Sequence, residues 1–242
     1  MKILVISLPD SQRRAAVADK LGAKQILFEF LDAVNGKTDH HPYFNNYNEQ
    51  RFLINRRRKA APGELGCYVS HLLAWEKCLA LNEAVVVLED DFELTDNFLA
   101  GLAFAKQFLA KVAFVRLEPM ESRHFITSAS NGDFSLVKQY KVGMCATGYI
   151  ITPQGAAKLL QTGREICAPI DLYLRQTLIH KQLIHALIPH IVYPTHTDTQ
   201  IGWDVRNVRQ KGIVLAIKRF VYKWFYATGS VAVNLTNVFT KF

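Results

Sequence analysis

Ala84-Val-Val-Val-Leu-Glu-Asp-Asp91 is a short apolar, β-branched run that ends abruptly in three carboxylates. An apolar run of this length bounded by polar residues reads as a strand buried on both faces. In an open α/β sheet, ligands bind beyond the carboxyl ends of such strands. The sequence therefore predicts that Glu89, Asp90 and Asp91 stand at the mouth of a site. Adjacent anions repel one another, so at a buried strand end they persist only when solvated, hydrogen-bonded or neutralised by a cation. All-oxygen ligation suits Mg²⁺ or Mn²⁺, hard ions that keep some waters and share other positions with substrate phosphates. A solvated acidic turn capping a helix at Thr95 accounts for the same tripeptide, and the tripeptide alone does not choose between the two.

On either side, strand and helix signals alternate. Residues 2–8 form an apolar strand, Pro9-Asp10-Ser11 a turn, and residues 13–21 an amphipathic helix that stops at Gly22. Arg13 and Arg14 then lie near the end of the first strand, where one of them can meet a phosphate or both can remain solvated. A second strand over 26–31 leaves through Asp32-Ala-Val-Asn-Gly36. Residues 37–61 lack periodicity and read as a long loop with a little structure of its own. Its cluster Arg56-Arg-Arg-Lys59 reads as a solvated charge run before it reads as a phosphate contact.

Residues 62–79 are a strong helix, with Pro62 in its first turn and Leu65, Val69, Leu72, Leu73 and Leu79 at helical spacing. Ser70 and His71 are neighbours and diverge by about 100° on that helix, so they form no nucleophile–base dyad with each other. Downstream come a helix over 95–109, a strand over 113–117 ending in Glu118, strands over 135–140 and 143–151, and a helix over 153–160. A helix over 169–175 carries Asp171 in its first turn, followed by strands over 183–188 and 191–193 and a polar loop holding His196. This alternation implies one α/β domain around a mostly parallel central sheet flanked by helices.

The chain has 242 residues, half of them hydrophobic, and no uninterrupted apolar run long enough to span a bilayer. Its N-terminus reads as a core strand rather than a signal peptide, which sets a cytoplasmic expectation. Cys67, Cys78, Cys145 and Cys167 form no C-x-x-C pair and read as reduced, packed thiols. The net charge of +8 is concentrated after Asp204, where seven Lys and Arg residues meet no acidic residue. That argues for a local contact with something anionic and against a protein-wide nucleic-acid surface. The expected division is a catalytic body over 1–204 and a basic, aromatic helical extension over 205–242. Residues 214–226 interleave Lys218, Arg219 and Lys223 with aromatics, as in a helix lying on an anionic membrane surface; the same aromatics also suit packing on the body.

Taken together, these residues resemble bacterial members of glycosyltransferase family 25, the lipopolysaccharide or lipooligosaccharide β-galactosyltransferases and their relatives. The matching blocks are Ile6-Ser-Leu with Arg13-Arg14, Phe30-Leu-Asp-Ala-Val-Asn-Gly36, Pro62-Gly-Glu-Leu-Gly-Cys-Tyr-Val-Ser-His71, Leu88-Glu-Asp-Asp91, Thr147-Gly-Tyr-Ile-Ile with Gly155-Ala, and Pro169-Ile-Asp171. The resemblance implies a GT-A-like nucleotide-diphosphosugar transferase fold, a UDP-hexose donor with galactose favoured over glucose, Mn²⁺ or Mg²⁺, and inversion at the transferred sugar. It is consistent with a lipid-linked oligosaccharide acceptor at the inner membrane, while the charge distribution sets the expectation of no nucleic-acid partner. By the same transfer, Glu89 faces the ribose, Asp91 the metal, and Asp90 can replace either. Asp171 becomes the base, with Glu118 in reserve, and His196 a nitrogen ligand to the metal. The uridine pocket would draw on Ser7, Leu8, Arg13, Ala33, Val34 and the helix face bearing Glu64, Ser70 and His71. A noncatalytic membrane-associated scaffold is the competing reading; it predicts no metal-dependent UDP binding and tolerance of Asp91→Ala.

Overall fold

Side chains along a strand alternate between the two faces of a sheet, and here both faces are apolar. In β1 (Lys2–Ser7), Leu4 and Ile6 enter one core while Ile3 and Val5 enter the other. The acid-ended strand β3 (Val85–Glu89) repeats the division with Val85 and Val87 against Val86 and Leu88. The computed structural model describes residues 1–119, 124–195, 210 and 212–239.

Around these strands the chain adds α1 (Arg13–Ala23), β2 (Glu29–Asp32), a 3₁₀ turn (Pro42–Asn46), α2 (Glu49–Arg56) and α3 (Pro62–Leu81) before β3. After β3 come β4 (Phe92–Leu94), α4 (Phe98–Lys106), β5 (Phe114–Arg116), β6 (Phe125–Ser130), β7 (Ser135–Gln139) and β8 (Gly148–Ile151). The chain continues through α5 (Pro153–Gly163), α6 (Ile170–Arg175), α7 (Thr177–His180), β9 (His185–Ile188) and β10 (Val192–Pro194) to α8 (Ile213–Phe239). Eight strands form the central sheet in the order β2-β1-β3-β8-β5-β9-β7-β6. Six of them share one direction, and β8 and β7 run against them. The α/β architecture with a mostly parallel, helix-flanked sheet is thus as expected. One core receives α3, α5 and α6 through Tyr68, Trp75, Leu159 and Tyr173. The other receives α1 and α4 through Leu21, Phe98 and Phe104.

Several local expectations differ from the structure. No helix starts at Thr95: residues 92–94 pair antiparallel with β10, the Thr95 N–H donates to Ile191 O at 3.1 Å, and α4 begins at Phe98. The strand expected over 143–151 is only β8, and the half-exposed edge strand β6 carried no clear apolar alternation. Within 37–61 the little structure expected is real: Asn48 caps α2 by accepting from the Arg51 N–H at 3.0 Å. All four cysteines are free, as expected of reduced thiols.

The C-terminal helix packs on α2, α7 and β7. Its inward contacts are largely polar: Ser230 Oγ accepts from the Leu178 N–H at 3.1 Å, Asn234 Nδ2 donates to Tyr140 O at 3.0 Å, and Arg219 donates to the Ile54 and Asn55 carbonyls. The opposite face exposes Ile213, Val214, Ile217, Phe220, Val221, Trp224 and Phe225. The helix thus inverts the usual soluble pattern. Among the described residues, no helix is long and apolar enough to cross a membrane. The boundary expected near 204 lies outside the described residues.

Candidate active site

The carboxyl ends of β1 and β3 lie side by side in parallel register, Ile6 opposite Glu89. Between them and the start of α3 opens a cavity of about 470 Å³. Ser7, Leu8, Arg13, Ala33, Val34, Ser70, Glu89, Asp90 and Asp91 line it, so nine predicted residues converge on one place. Two glycines make the convergence sterically feasible. A Cβ on Gly36 would lie 1.7 Å from Pro62 O, and one on Gly66 would lie 2.3 Å from Val34 O. The 33–37 loop is therefore pressed backbone to backbone against the first turns of α3. Ser70 holds it there: its Oγ accepts from the Val34 N–H at 2.9 Å and donates to Gly66 O at 2.7 Å.

The three carboxylates differ sharply in their surroundings. Asp90 is occupied, accepting from Ser7 Oγ at 2.7 Å, Ser11 Oγ at 3.2 Å and Arg13 Nη1 at 3.1 Å. Glu89 is held by Cys67 Sγ at 3.4 Å, His71 Nε2 at 3.3 Å and Thr147 Oγ1 at 3.4 Å. Despite burial, these contacts, His71 foremost, leave its carboxyl below the usual range. Asp91 has the opposite balance. Burial and the charges of Glu89 and Asp90 outweigh Arg13 and push its pKa to about 6. Its Oδ1 is buried without a hydrogen-bond partner. A hard cation fits that orphaned oxygen, because it would add to the positive charge of Arg13, which stands 3.9 Å from the other oxygen, Asp91 Oδ2. Cys67, His71 and Glu89 also place potential ligand atoms within 4.8 Å of one another, but those atoms already satisfy each other by hydrogen bonding.

Arg13 and Arg14 separate cleanly. Arg13 faces the cavity, whereas Arg14 pairs with Asp32, donates to Ser7 O at 2.8 Å and stacks 4.6 Å over Phe30. Asp171 does not line the cavity, although its charge, with those of Glu89 and Asp91, adds to burial in pushing the Cys67 thiol up. Burial also raises the Asp171 carboxyl itself, against a hydrogen bond from the Leu172 N–H and the charge of Arg56.

Three expected residues do other work. Glu64 is buried in a bidentate pair with Arg58 at 2.6 and 2.7 Å and accepts from the Ala61 N–H at 2.9 Å, fixing the start of α3 instead of facing the cavity. His71 lies behind Glu89: Trp75 Nε1 donates to Tyr149 OH at 2.9 Å, Tyr149 meets His71 Nδ1 at 2.8 Å, and Nε2 then serves Glu89. Glu118, the reserve base, is fully enclosed; it pairs with Arg116 and accepts from the Gly148 N–H at 2.8 Å. His196 lies outside the described residues. Sequence reasoning assigned no site role to Asn35, Lys37 and Cys67, which line the cavity; Asn35 and Cys67 fell within family-matching blocks, and the turn signal at Asn35-Gly36 was the marker nearest Lys37. Glu118→Gln is expected to lower stability by about 3–5 kcal/mol, because it strands the buried Arg116 charge. Thermal melts and kcat measured together check this, with folded variant retaining turnover; loss of turnover at unchanged stability would restore Glu118 as a base.

A larger cleft of about 950 Å³, bordered by Asn45, Arg51, Gln161 and Tyr173, holds none of the predicted residues.

In this α/β protein an orphaned carboxylate oxygen, a serine-held acid and an inward arginine meet in one sheet-end cavity, the place where open α/β sheets bind ligands. The chain belongs to glycosyltransferase family 25 (LPS biosynthesis protein), whose model matches residues 1–174. It is 25% identical over 185 residues to the Haemophilus influenzae lipooligosaccharide biosynthesis protein lic2B, covering 75% of this chain and 62% of that one. It is 27% identical to Xenopus laevis procollagen galactosyltransferase 1-B over 86% of this chain and 39% of that protein. The mouse inactive glycosyltransferase 25 family member 3 is 34% identical over 40% of this chain and 17% of its own length. The chain spans less than two thirds of the length of these curated relatives. Among solved structures, A197 from STIV aligns with a TM-score of 0.41 at 11% identity over 88% of this chain and 100% of that one, too distant to argue from.

Proposed function

We propose that this protein is an inverting hexosyltransferase that moves galactose from UDP-galactose to a saccharide acceptor of lipooligosaccharide. The observation that carries the reading is the buried, unpartnered Asp91 Oδ1 in a cavity shared with Arg13, within a family 25 chain. Asp91 would hold Mn²⁺ or Mg²⁺, which when bound neutralises charge developing on the departing diphosphate. Arg13, whose Nη1 lies 3.1 Å from Asp90 Oδ1 and 3.9 Å from Asp91 Oδ2, supplements it, and the 33–37 backbone with Ser7 and Leu8 cradles the nucleoside. Asp171 is assigned as base: the acceptor oxygen attacks the anomeric carbon while its proton passes to the Asp171 carboxylate. The sugar–phosphate bond breaks, and its electron pair leaves with UDP. Since burial raises the Asp171 pKa and only the ionised form acts, turnover should fall on the acid side as pH drops through that value.

The test is UDP release from a panel of UDP-sugars with and without Mn²⁺, using truncated lipooligosaccharide in detergent. Manganese-dependent turnover of UDP-galactose, absent in Asp171→Asn, is expected. No turnover together with no calorimetric UDP binding would instead favour a noncatalytic scaffold; the mouse relative is named inactive.

The exposed apolar face of α8, flanked by Lys218 and Lys223, supports docking on an anionic membrane, where a lipid-linked acceptor resides. Replacing Phe220 and Trp224 with Ser is expected to abolish sedimentation with phosphatidylglycerol vesicles without altering circular dichroism. Unchanged sedimentation would remove the docking role.

A further inference from the structure

The basic cluster at Arg56-Arg-Arg-Lys59 does not remain a uniform solvated run. Arg58 pairs with Glu64, Lys59 pairs with Glu49 at 3.0 Å, and Arg56 turns to a second cavity of about 390 Å³ between α2, α6 and α8. That cavity is lined by Arg56, Lys141, Arg175, Arg219 and Lys223, and among its described lining residues there is no Asp or Glu. Five cations from four separate parts of the chain thus share one concave surface without a lining carboxylate.

Such an arrangement is electrostatically costly in isolation. Burial, with the charges of Arg219, Arg56 and Arg175 adding to it, holds the Lys223 ammonium below its ordinary pKa. A multiply charged anion reverses the sign of that energy, and guanidinium groups suit phosphate because they donate in parallel pairs. Neutral groups give the cavity a fixed frame: Gln176 Nε2 donates to Asn55 Oδ1 at 3.2 Å, and Asn55 Nδ2 to Tyr222 OH at 3.3 Å.

Position supplies the second argument. Leu172, next to Asp171, lines this cavity, and Arg56 on its wall acts electrostatically on the Asp171 carboxyl. Val231 belongs both to the lining and to the exposed side of α8. The cavity is therefore bordered both by α6, the helix that carries the assigned base, and by the helix with the exposed apolar face.

We propose that the cavity bounded by Arg56, Lys141, Arg175, Arg219 and Lys223 is a binding site for a phosphate group on the acceptor or on the lipid beside it. Its placement relative to Asp171 rests on the transferase reading, but phosphate binding itself does not.

The probe is glucose 6-phosphate, with glucose as reference, titrated calorimetrically into the full chain in EDTA so that no divalent cation can recruit phosphate to Asp91. Saturable binding of the sugar phosphate alone is expected. It should weaken at least tenfold in Arg175→Gln/Lys223→Gln, and remain unchanged in Asp91→Ala and in Lys218→Gln, which removes a charge from α8 outside the cavity. A parallel arm floats each variant with phosphatidylglycerol or phosphatidylcholine vesicles. If glucose 6-phosphate does not bind but flotation on phosphatidylglycerol falls both in the double variant and in Arg56→Gln/Lys141→Gln, whose residues line the cavity from outside α8, the phosphate belongs to a lipid headgroup. If the double variant alters neither arm, the proposal is overturned. Should it fail to melt cooperatively, Arg56→Gln/Lys141→Gln serves in its place with the same criteria. Turnover enters neither arm, so failure of the transferase reading is distinguishable from failure of this site.

Discussion

Asp91→Asn is expected to reduce UDP-sugar turnover at least about a hundredfold and yet to raise the melting temperature near neutral pH. Both effects have one cause. Burial and the neighbouring Glu89 and Asp90 lift the Asp91 pKa from 3.8 to about 6. A carboxyl whose pKa is raised on folding binds its proton more tightly in the folded state. Its ionised form consequently costs stability above about pH 6, and that cost disappears as pH falls below about 4. The full shift corresponds to about 3 kcal/mol, and solvent screening at this partly accessible site brings the expected gain to about 1–2 kcal/mol, or roughly 2–6 °C. Calorimetric scans near pH 7.5 and pH 4.5 check the sign, since the gap between the wild type and the variant should narrow at the lower pH. Manganese should raise the melting temperature of the wild type alone. A variant that melts lower at neutral pH, or one that keeps its turnover, would contradict the assignment of Asp91.

The second large effect is expected from Gly66→Ala. In an open helix this change is stabilising by up to about 1 kcal/mol. Here the added Cβ would lie 2.3 Å from Val34 O and 2.7 Å from Gly36 N, both backbone atoms that no rotamer change can move. Either α3 or the 33–37 loop must shift, at an expected cost of about 2–4 kcal/mol. Because that loop forms a wall of the cavity, UDP binding should weaken together with stability. Gly22→Ala is the matched control, since its Cβ would meet nothing within 4 Å. It should be neutral or mildly stabilising. Denaturant midpoints and UDP titrations on both variants measure the contrast, and equal behaviour of the two would refute the close-contact argument.

What the sequence disclosed follows the range of the forces involved. Val85 to Glu89 was readable because its pattern is local: apolar residues on both faces, then charge. The placement of Asp91 at a site mouth follows from the sheet-end rule, whereas Ser7 and Val34 were named only through the family resemblance and converge on the same cavity. Glu64 was misplaced because a carboxylate in the first turn of a helix looks the same whether it binds a ligand or locks the helix start. The deciding partner, Arg58, lay in a segment without periodicity. Glu118 failed for a similar reason: a strand-end acid is a candidate base until a buried arginine is seen across from it. The false helix start at Thr95 reflects pairing with β10, about a hundred residues away, which no local propensity encodes. The face of α8 turned to solvent was equally hidden, because its hydrophobic periodicity does not say which side meets the body.

The hydrogen-bonded file from Trp75 through Tyr149 and His71 to Glu89 makes the acid cluster an optical neighbour of the core. Trp75 is wholly enclosed, whereas Trp224 is 65% exposed. With Trp203 and Trp224 replaced by Phe, the remaining indole would report rearrangement at Glu89 through its emission. The fold thereby supplies an intrinsic fluorophore for stopped-flow spectroscopy of donor arrival, with no dye attached.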